Sequence, residues 1–237
     1  MIKLKTRGFP FSIFLSLLAT NFASSFFVLS IGVVALDIAS GFNLAPSEIG
    51  VLLFSTIVGT PLTMLIGGNF SDRYGRRISL VIGMIILLIS LFLSGLSRNY
   101  VELLFALFMT GVGGGFLAPT IYALVGEISG SSRGLLTGIT NSSYQLGGFL
   151  GPVMAGSLIL YSSWRLPFFV WSMITLFTLV FTIKFVKIQS KPKTNFNRAE
   201  KSSSSALRDV LRTRNILLIS VTMFLSSGGI VTLSTWA

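Results

Sequence analysis

The eleven residues "GGNFSDRYGRR", from Gly67 to Arg77, place one carboxylate and three arginines between two long apolar stretches. The flanking residues 49–71 and 78–97 contain no Asp, Glu, Lys or Arg. Each flank is long enough for a helix that crosses the roughly 30 Å hydrocarbon core of a bilayer. The charged segment is therefore predicted to be a tight hairpin between two membrane helices, with its arginines at the membrane surface.

The same pattern repeats along the whole chain of 237 residues. Stretches without a charged residue cover 8–36, 49–71, 78–97, 103–126, 134–164, 166–183 and 215–237. Because a charge at the centre of a spanning helix costs about 2.5–3.5 kcal/mol, these stretches predict seven spanning helices in an all-α membrane protein. The composition agrees, since 52% of the residues are hydrophobic and only 11% are charged, too few for a soluble surface.

The positions of Lys and Arg predict the orientation. With the N-terminus inside, residues 1–7, 72–77, 127–133 and 184–214 share one side and contain all of the 18 basic residues except Arg98 and Arg165. Under the positive-inside rule this asymmetry predicts a multi-pass protein of the cell membrane with a cytoplasmic N-terminus. The net charge of +11 then belongs to a face beside anionic lipid, so no nucleic-acid partner is expected.

Three regions follow along the chain. Residues 1–186 are predicted to form a six-helix transmembrane bundle, and residues 187–214, which include "KPKTNFNRAEKSSSS", a cytoplasmic basic linker. Residues 215–237 are predicted to form a seventh transmembrane helix that begins a second half. This helix has no charged anchor or polar tail after it. The chain is therefore expected to be incomplete, part of a larger protein.

The residue types exclude several kinds of chemistry. The chain has no Cys and no His, which excludes disulfides, Cys/His zinc sites, thiol nucleophiles and a histidine general base. It also lacks the Gly-x-x-x-x-Gly-Lys-Ser/Thr loop that binds ATP phosphates. We therefore expect no enzyme activity, no metal and no cofactor. A membrane-embedded enzyme, and a truncated, non-transporting protein that acts only through a partner chain, stay open as alternatives.

The opening segment also has an internal pattern. Gly68 would let a neighbouring helix approach closely, and Gly75 would allow a turn with positive φ. Asp72 could cap the following helix and pair with Arg76. A simple hairpin whose arginines are topology anchors would explain Arg73, Arg76 and Arg77. It would not explain Asp72, or Gly68 and Gly75 at this spacing.

The segment resembles the signature loop between helices 2 and 3 of the major facilitator superfamily. The residues that match the family's pattern are Gly68, Asp72, Arg73, Gly75, Arg76 and Arg77. With six helices, a basic middle loop and a seventh helix, the resemblance covers the whole chain. It implies a helical bundle with inverted three-helix repeats and a loop that acts as a cytoplasmic gate. Glu127, at the end of helix 4, is the candidate partner of the arginines; the alternative is a solvated charge.

Small residues at helical spacing predict that helix 4 and helix 5 each pack closely against a neighbouring helix. Helix 4 contains Gly111 and Gly115, and helix 5 contains "GGFLGPVMAG" with Gly147, Gly151, Pro152 and Gly156. Small residues four apart let helices pack backbone to backbone in lipid, and Pro152 can bend its helix. The stretch in helix 5 also resembles a motif of the family's proton-coupled drug exporters. Leu107 of helix 4, however, stands where the family often has an arginine linked to proton coupling.

The spans of this half contain no ionisable residue near their centres, so the candidate cavity residues are neutral. They are Asn21, Asn141, Tyr144 and Gln145. Asn141 and Gln145 are four residues apart and share a helix face. They could hydrogen-bond a solute near the midplane, or they could bond other helices instead.

Together these observations predict a secondary active transporter that works by alternating access. Its substrate is expected to be a small organic solute, neutral or largely apolar, such as a drug-like compound. The energy is expected to come from an ion gradient. The expected partners are this substrate, a coupling ion (a proton), the lipid bilayer and a second six-helix half.

Overall fold

The computed structural model describes residues 11–186, and these residues form α-helices joined by short connections. The helices are α1 Phe11–Val28, α2 Ile31–Phe42, α3 Pro46–Tyr74, α4 Arg76–Leu96, α5 Tyr100–Ile128, α6 Arg133–Tyr161 and α7 Arg165–Phe185. No strand occurs within residues 11–186, which confirms the predicted all-α fold. The linker predicted over 187–214 and the helix predicted over 215–237 lie outside the described residues and stay predictions.

Most of these helices are long and apolar enough to cross a membrane. The candidates are residues 11–42, which comprise α1 and α2, and the helices α3, α4, α5 and α7. The helix α6 is not among them, although it is as long as α3 and α5, at 29 residues. Its glycines and the polar residues between Thr140 and Gln145 make it less hydropathic. At 1.5 Å per residue, α6 is still roughly 43 Å long, more than the hydrocarbon core requires.

The first span differs from the single helix predicted over residues 8–36. It extends to Phe42 and is broken into α1 and α2 by a turn at Leu29 and Ser30. The Ser30 hydroxyl donates to the Phe26 carbonyl, and the Ser30 N–H donates to the Phe27 carbonyl at 2.9 Å. These bonds replace the regular helical pattern, so the break leaves few backbone groups without partners.

The packing of the helices follows the symmetry of inverted repeats. The chain divides into one unit of three spans, α1–α2, α3 and α4, and a second unit of α5, α6 and α7. Here α3 packs on α5 as α6 packs on α1, and α4 packs on α5 as α7 packs on α1. Exchanging the two units exchanges these pairs, as inverted repeats require.

Hydroxyl groups join neighbouring helices inside the bundle. The hydroxyls of Thr20 in α1 and Thr182 in α7 are 3.1 Å apart, and those of Ser79 in α4 and Thr120 in α5 are 3.0 Å apart. Bonds of this kind contribute about 0.6 kcal/mol each between membrane helices. They help to hold neighbouring helices of the bundle in register.

Helix ends alternate between the two ends of the bundle. The end where α3 stops at Tyr74 and α4 starts at Arg76 is called the Gly75 end, and α5 and α7 also stop there. The opposite end, where α4 stops at Leu96 and α7 starts, is called the Arg165 end.

Candidate functional site

A single residue joins α3 to α4 at the Gly75 end. Gly75 has φ 102° and ψ 143°, a backbone conformation that side chains do not tolerate, so it has the positive φ predicted for this turn. The sequence predicted a hairpin loop over residues 70–77, but apart from Gly75 these residues belong to the ends of α3 and α4. Asp72 lies in the last turn of α3, and no side chain caps α4, so the predicted capping by Asp72 was wrong.

Charged side chains connect three helices around this turn. Arg76, the first residue of α4, has Nη2 3.2 Å from Asp72 of α3 and Nε 2.6 Å from Glu127 of α5. The Arg76 side chain is 21% exposed, whereas those of Asp72 and Glu127 are 69% and 43% exposed. The guanidinium is therefore largely covered and holds both carboxylates through charge-assisted hydrogen bonds. We call these three residues the ion-pair cluster.

Arg77 extends these connections to a fourth helix. Its Nη2 donates to the carbonyl oxygen of Ile183 at 3.1 Å. Ile183 belongs to the last turn of α7, where backbone carbonyls have no partner within the helix. Arg73 points elsewhere, with its guanidinium 5.4 Å from the centre of the Tyr74 ring. The segment thus ties the ends of α3, α4, α5 and α7 together.

The close approach predicted for Gly68 occurs at its neighbour instead. A Cβ at Gly68 would come no nearer than 3.9 Å to another residue, Pro119. A Cβ at Gly67 would lie 2.5 Å from the Gly115 carbonyl oxygen and 2.8 Å from the Cα of Phe116. The signature glycine is therefore not the contact residue, and Gly67 lets α3 meet the backbone of α5.

The predicted glycines of helices 4 and 5 lie in two backbone contacts. In α5, a Cβ at Gly111 would lie 2.6 Å from the Thr56 carbonyl oxygen, and one at Gly115 would lie 2.8 Å from that of Thr60. In α6, Gly147 and Gly151 lie against the backbone carbonyls of α1. Gly156 does not share this contact, because a Cβ there would be 3.8 Å from its nearest neighbour within residues 11–186, so its packing role stays a prediction.

The α6 contact includes the break in the first span. Gly151 lies beside the Phe26 carbonyl and the Ser30 hydroxyl, and Gly148 lies beside the Leu29 side chain. Pro152 is inside α6, and the helix continues beyond it. The broken segment of the first span thus packs on the smoothest part of α6.

One of the predicted cavity residues is buried between helices. The Asn21 side chain of α1 is 4% exposed, and its Nδ2 donates to the Thr140 carbonyl of α6 at 2.8 Å. This is the interhelical bond that was the alternative for Asn21. Asn21 therefore positions α6 and does not itself face a cavity.

The other predicted cavity residues lie together on α6. Asn141 and Gln145 are exposed and Tyr144 is half-buried. The Asn141 Oδ1 accepts a hydrogen bond of 2.5 Å from the Tyr122 hydroxyl of α5. Sequence reasoning missed Tyr122, because a single phenol in an apolar helix gives no signal of its own. The four residues Asn141, Tyr144, Gln145 and Tyr122 are called the polar face.

Long apolar helices that pack backbone to backbone at glycines define a multi-pass membrane protein. The chain belongs to the Major Facilitator Superfamily, whose family model matches residues 12–237. This confirms the resemblance and the bundle of inverted repeats predicted from the sequence.

Curated relatives include transporters with different cargoes. The chain is 30% identical to a hexuronate transporter of Bacillus subtilis over 171 residues, 70% of this chain and 40% of that protein. It is 25% identical to the quinolone resistance protein NorA of Staphylococcus aureus over 191 residues, 78% of this chain and 47% of that protein. The chain therefore spans less than half the length of these relatives.

A solved structure shows the same fold. A peptide transporter in complex with sulfate superposes with a TM-score of 0.67 at 18% identity, covering 94% of this chain and 48% of that one. A proton:xylose symporter, XylE, gives a TM-score of 0.65 at 19% identity, covering 74% and 44%. At these identities the likeness establishes the fold alone.

Proposed function

We propose that this protein is a secondary active transporter that moves a small organic solute, uncharged or largely apolar, by alternating access. An ion gradient drives it, and the proton is the first candidate for the coupling ion. The protein spans the cell membrane, and its Gly75 end and N-terminus lie on the cytoplasmic side. The charge asymmetry of the sequence supports this orientation, because Arg73, Arg76, Arg77 and Arg133 all lie at the Gly75 end.

The observation that carries this proposal is the polar face, which three residues of α6 and Tyr122 of α5 form. Amide and phenol groups that faced lipid would lose their hydrogen bonds to water at a large cost. The polar face therefore lines a water-filled cavity, with a second six-helix half on its other side. The low burial of α3 supports this second half, because only 22% of its 18-residue apolar stretch is buried against the other described helices.

The chemistry of the polar face favours an uncharged solute. Asn141, Gln145 and the two tyrosines offer hydrogen-bond donors and acceptors but no charge. A hexuronate, the cargo named for one relative, carries a carboxylate that needs a cation to offset its loss of water. Among the charge-free residues 134–164 no such cation is present, so a neutral, drug-like solute fits better.

The ion-pair cluster supplies the gate in this proposal. While Arg76 holds Asp72 and Glu127, the ends of α3, α4 and α5 stay together and close the Gly75 end. The cavity is then open at the Arg165 end. Separation of these contacts accompanies opening to the cytoplasm, so the cluster exists in one state and not in the other.

A transport assay tests the substrate class. The protein is expressed from its own gene in cells, and everted membrane vesicles are prepared from them. We expect proton-dependent movement of the neutral dye N-phenyl-1-naphthylamine, abolished by a protonophore and absent from vesicles without the protein. Movement of radiolabelled glucuronate in place of the dye would contradict the proposed substrate class. Movement of neither compound would favour the non-transporting alternative.

Cysteine labelling tests the cavity separately from the substrate. The chain contains no cysteine, so a single introduced thiol is the only one present. We expect Gln145→Cys to react with a membrane-impermeant maleimide on the order of tenfold faster than Phe177→Cys, because a thiol in lipid neither ionises nor meets the reagent. Phe177 of α7 is a matched control, since it is 77% exposed on a wholly apolar helix face. Equal labelling of the two would refute the cavity.

A further inference from the structure

The two basic residues that break the charge asymmetry lie side by side at the Arg165 end. Arg165, the first residue of α7, donates from Nη2 to the carbonyl oxygen of Ser97 at 2.9 Å. Ser97 directly precedes Arg98, whose side chain is exposed. The Arg165 guanidinium also lies 4.7 Å from the centre of the Trp164 ring, which fixes its plane.

Neither guanidinium is neutralised by a carboxylate of residues 11–186 at ion-pair distance. The nearest acidic group along the chain is Glu102. Its carboxylate accepts from the Arg98 backbone N–H at 2.8 Å and from the Asn99 side chain at 2.8 Å, which caps the start of α5. The Arg98 guanidinium takes no part in these bonds, so two cationic groups remain available at this end.

An apolar groove begins one helical turn below these arginines. It lies between α4 and α7, has a volume of about 420 Å³, and is lined by residues that include Leu88, Phe92, Phe169, Ser172 and Leu176. Arg165, Phe169, Ser172 and Leu176 follow the i, i+4, i+7, i+11 spacing of one helix face. The groove and the Arg165 guanidinium therefore lie one helical turn apart along the same face of α7, and together they are called the channel.

The closed end of the groove lies toward the arginines. The Phe169 ring packs edge-on against Phe92, with ring centres 5.7 Å apart, and covers Gly95. Between Phe169 and Leu176 the groove extends roughly 10 Å along the membrane normal at 1.5 Å per residue. This is an apolar slot that can hold part of one acyl chain, with the arginines beyond its membrane-surface end.

We propose that this channel binds an anionic phospholipid, with the phosphate on Arg98 and Arg165 and one acyl chain in the groove. An apolar slot on the lipid-facing side of a spanning bundle is filled by hydrocarbon, and the paired arginines select the headgroup. A planar guanidinium matches a phosphate with two parallel hydrogen bonds. The lipid would clamp the ends of α4 and α7, one from each three-span unit.

Native mass spectrometry of the full chain, purified in mild detergent, tests this site. Dioleoyl phosphatidylglycerol and dioleoyl phosphatidylcholine are compared, because they share acyl chains and differ in net charge. We expect phosphatidylglycerol to be retained more strongly, and the double variant R98Q/R165Q to weaken its binding roughly ten- to thirtyfold. Arg133→Gln, which removes one positive charge at the Gly75 end, controls for general attraction and should leave this binding unchanged. Equal retention by wild type and the double variant would overturn the proposal.

Two further arms separate lipid from simpler anions. Leu176 is 41% exposed, so Leu176→Trp can fill the groove without disturbing the core. We expect it to weaken phosphatidylglycerol binding several-fold although both arginines remain; unchanged binding would overturn the role of the groove. Inorganic phosphate at the same concentration should not displace the lipid, and displacement would overturn the assignment to a lipid. None of these readouts depends on transport, so failure here leaves the proposed function standing.

Discussion

Replacing Gly67 with Ala is expected to lower the unfolding temperature by about 4–8 °C, whereas the same change at Gly68 should lower it little or not at all. A Cβ at Gly67 would lie 2.5 Å from the Gly115 carbonyl oxygen, so α3 and α5 must move apart. Overpacking of this kind costs about 2 kcal/mol, which corresponds to roughly 2–4 °C per kcal/mol in a chain of this size. At Gly68 the nearest atom would be 3.9 Å away, an ordinary contact.

Gly68 is a stringent control because it adjoins Gly67 in the same helix. Alanine at Gly68 also gains helix propensity, about 0.5–1 kcal/mol relative to glycine, which works against any loss. Unfolding in detergent is followed by tryptophan fluorescence, with monodispersity checked by gel filtration. A larger loss for Gly68→Ala than for Gly67→Ala would show that the signature glycine, and not its neighbour, makes the helix contact.

The sequence was informative where chemistry constrains a position directly. Five of the charge-free stretches match candidate membrane spans within residues 11–186 because a charge in hydrocarbon is costly, and the turn at Gly75 followed from the need for positive φ. Glu127 could be chosen as a partner because it is the acidic residue at the end of α5 on the same side as the arginines. The geometry of that pair is now visible, at 2.6 Å from Arg76, while its role as a gate stays a prediction.

What the sequence did not reveal depends on the neighbours of each residue. Leu29 and Ser30 carry no breaker signal, and the first span breaks there where α6 glycines lie against it. The choice between Gly67 and Gly68 depends on the rotation of α3 by about 100° per residue, which no local pattern fixes. Asn21 looked the same as Asn141 in sequence, yet only tertiary packing buries one and exposes the other.

Breaking the ion-pair cluster is expected to open the Gly75 end while changing stability little. Arg76→Gln removes contacts to two partly exposed carboxylates, and surface pairs of this kind contribute at most about 1 kcal/mol to folding. The same energy changes the free-energy difference between the two transport states by its full amount, because the ion-pair cluster forms in only one of them. A shift of that size changes the population ratio by up to roughly fivefold.

The readout is the single cysteine Gln145→Cys, combined with Arg76→Gln in the full protein. An impermeant maleimide applied to inverted vesicles reaches the polar face only when the Gly75 end is open, if that end is cytoplasmic. We expect labelling from this side to become up to roughly fivefold faster than with Arg76 present, and labelling from the other side to become slower. Opposite changes on the two faces distinguish a shift between states from a general loosening of the bundle, which would speed both.

Glu127→Gln and Arg133→Gln complete the design. Glu127→Gln should produce a shift in the same direction, and the double variant R76Q/E127Q should exceed Arg76→Gln by little, because Arg76→Gln already removes the contact with Glu127. Arg133 lies at the same end, where its guanidinium donates to the Gly126 carbonyl at 3.5 Å and forms no ion pair within residues 11–186, so Arg133→Gln should leave labelling unchanged. If Arg133→Gln accelerated labelling as much as Arg76→Gln, the effect would come from the net charge of this end and the cluster would not be the gate.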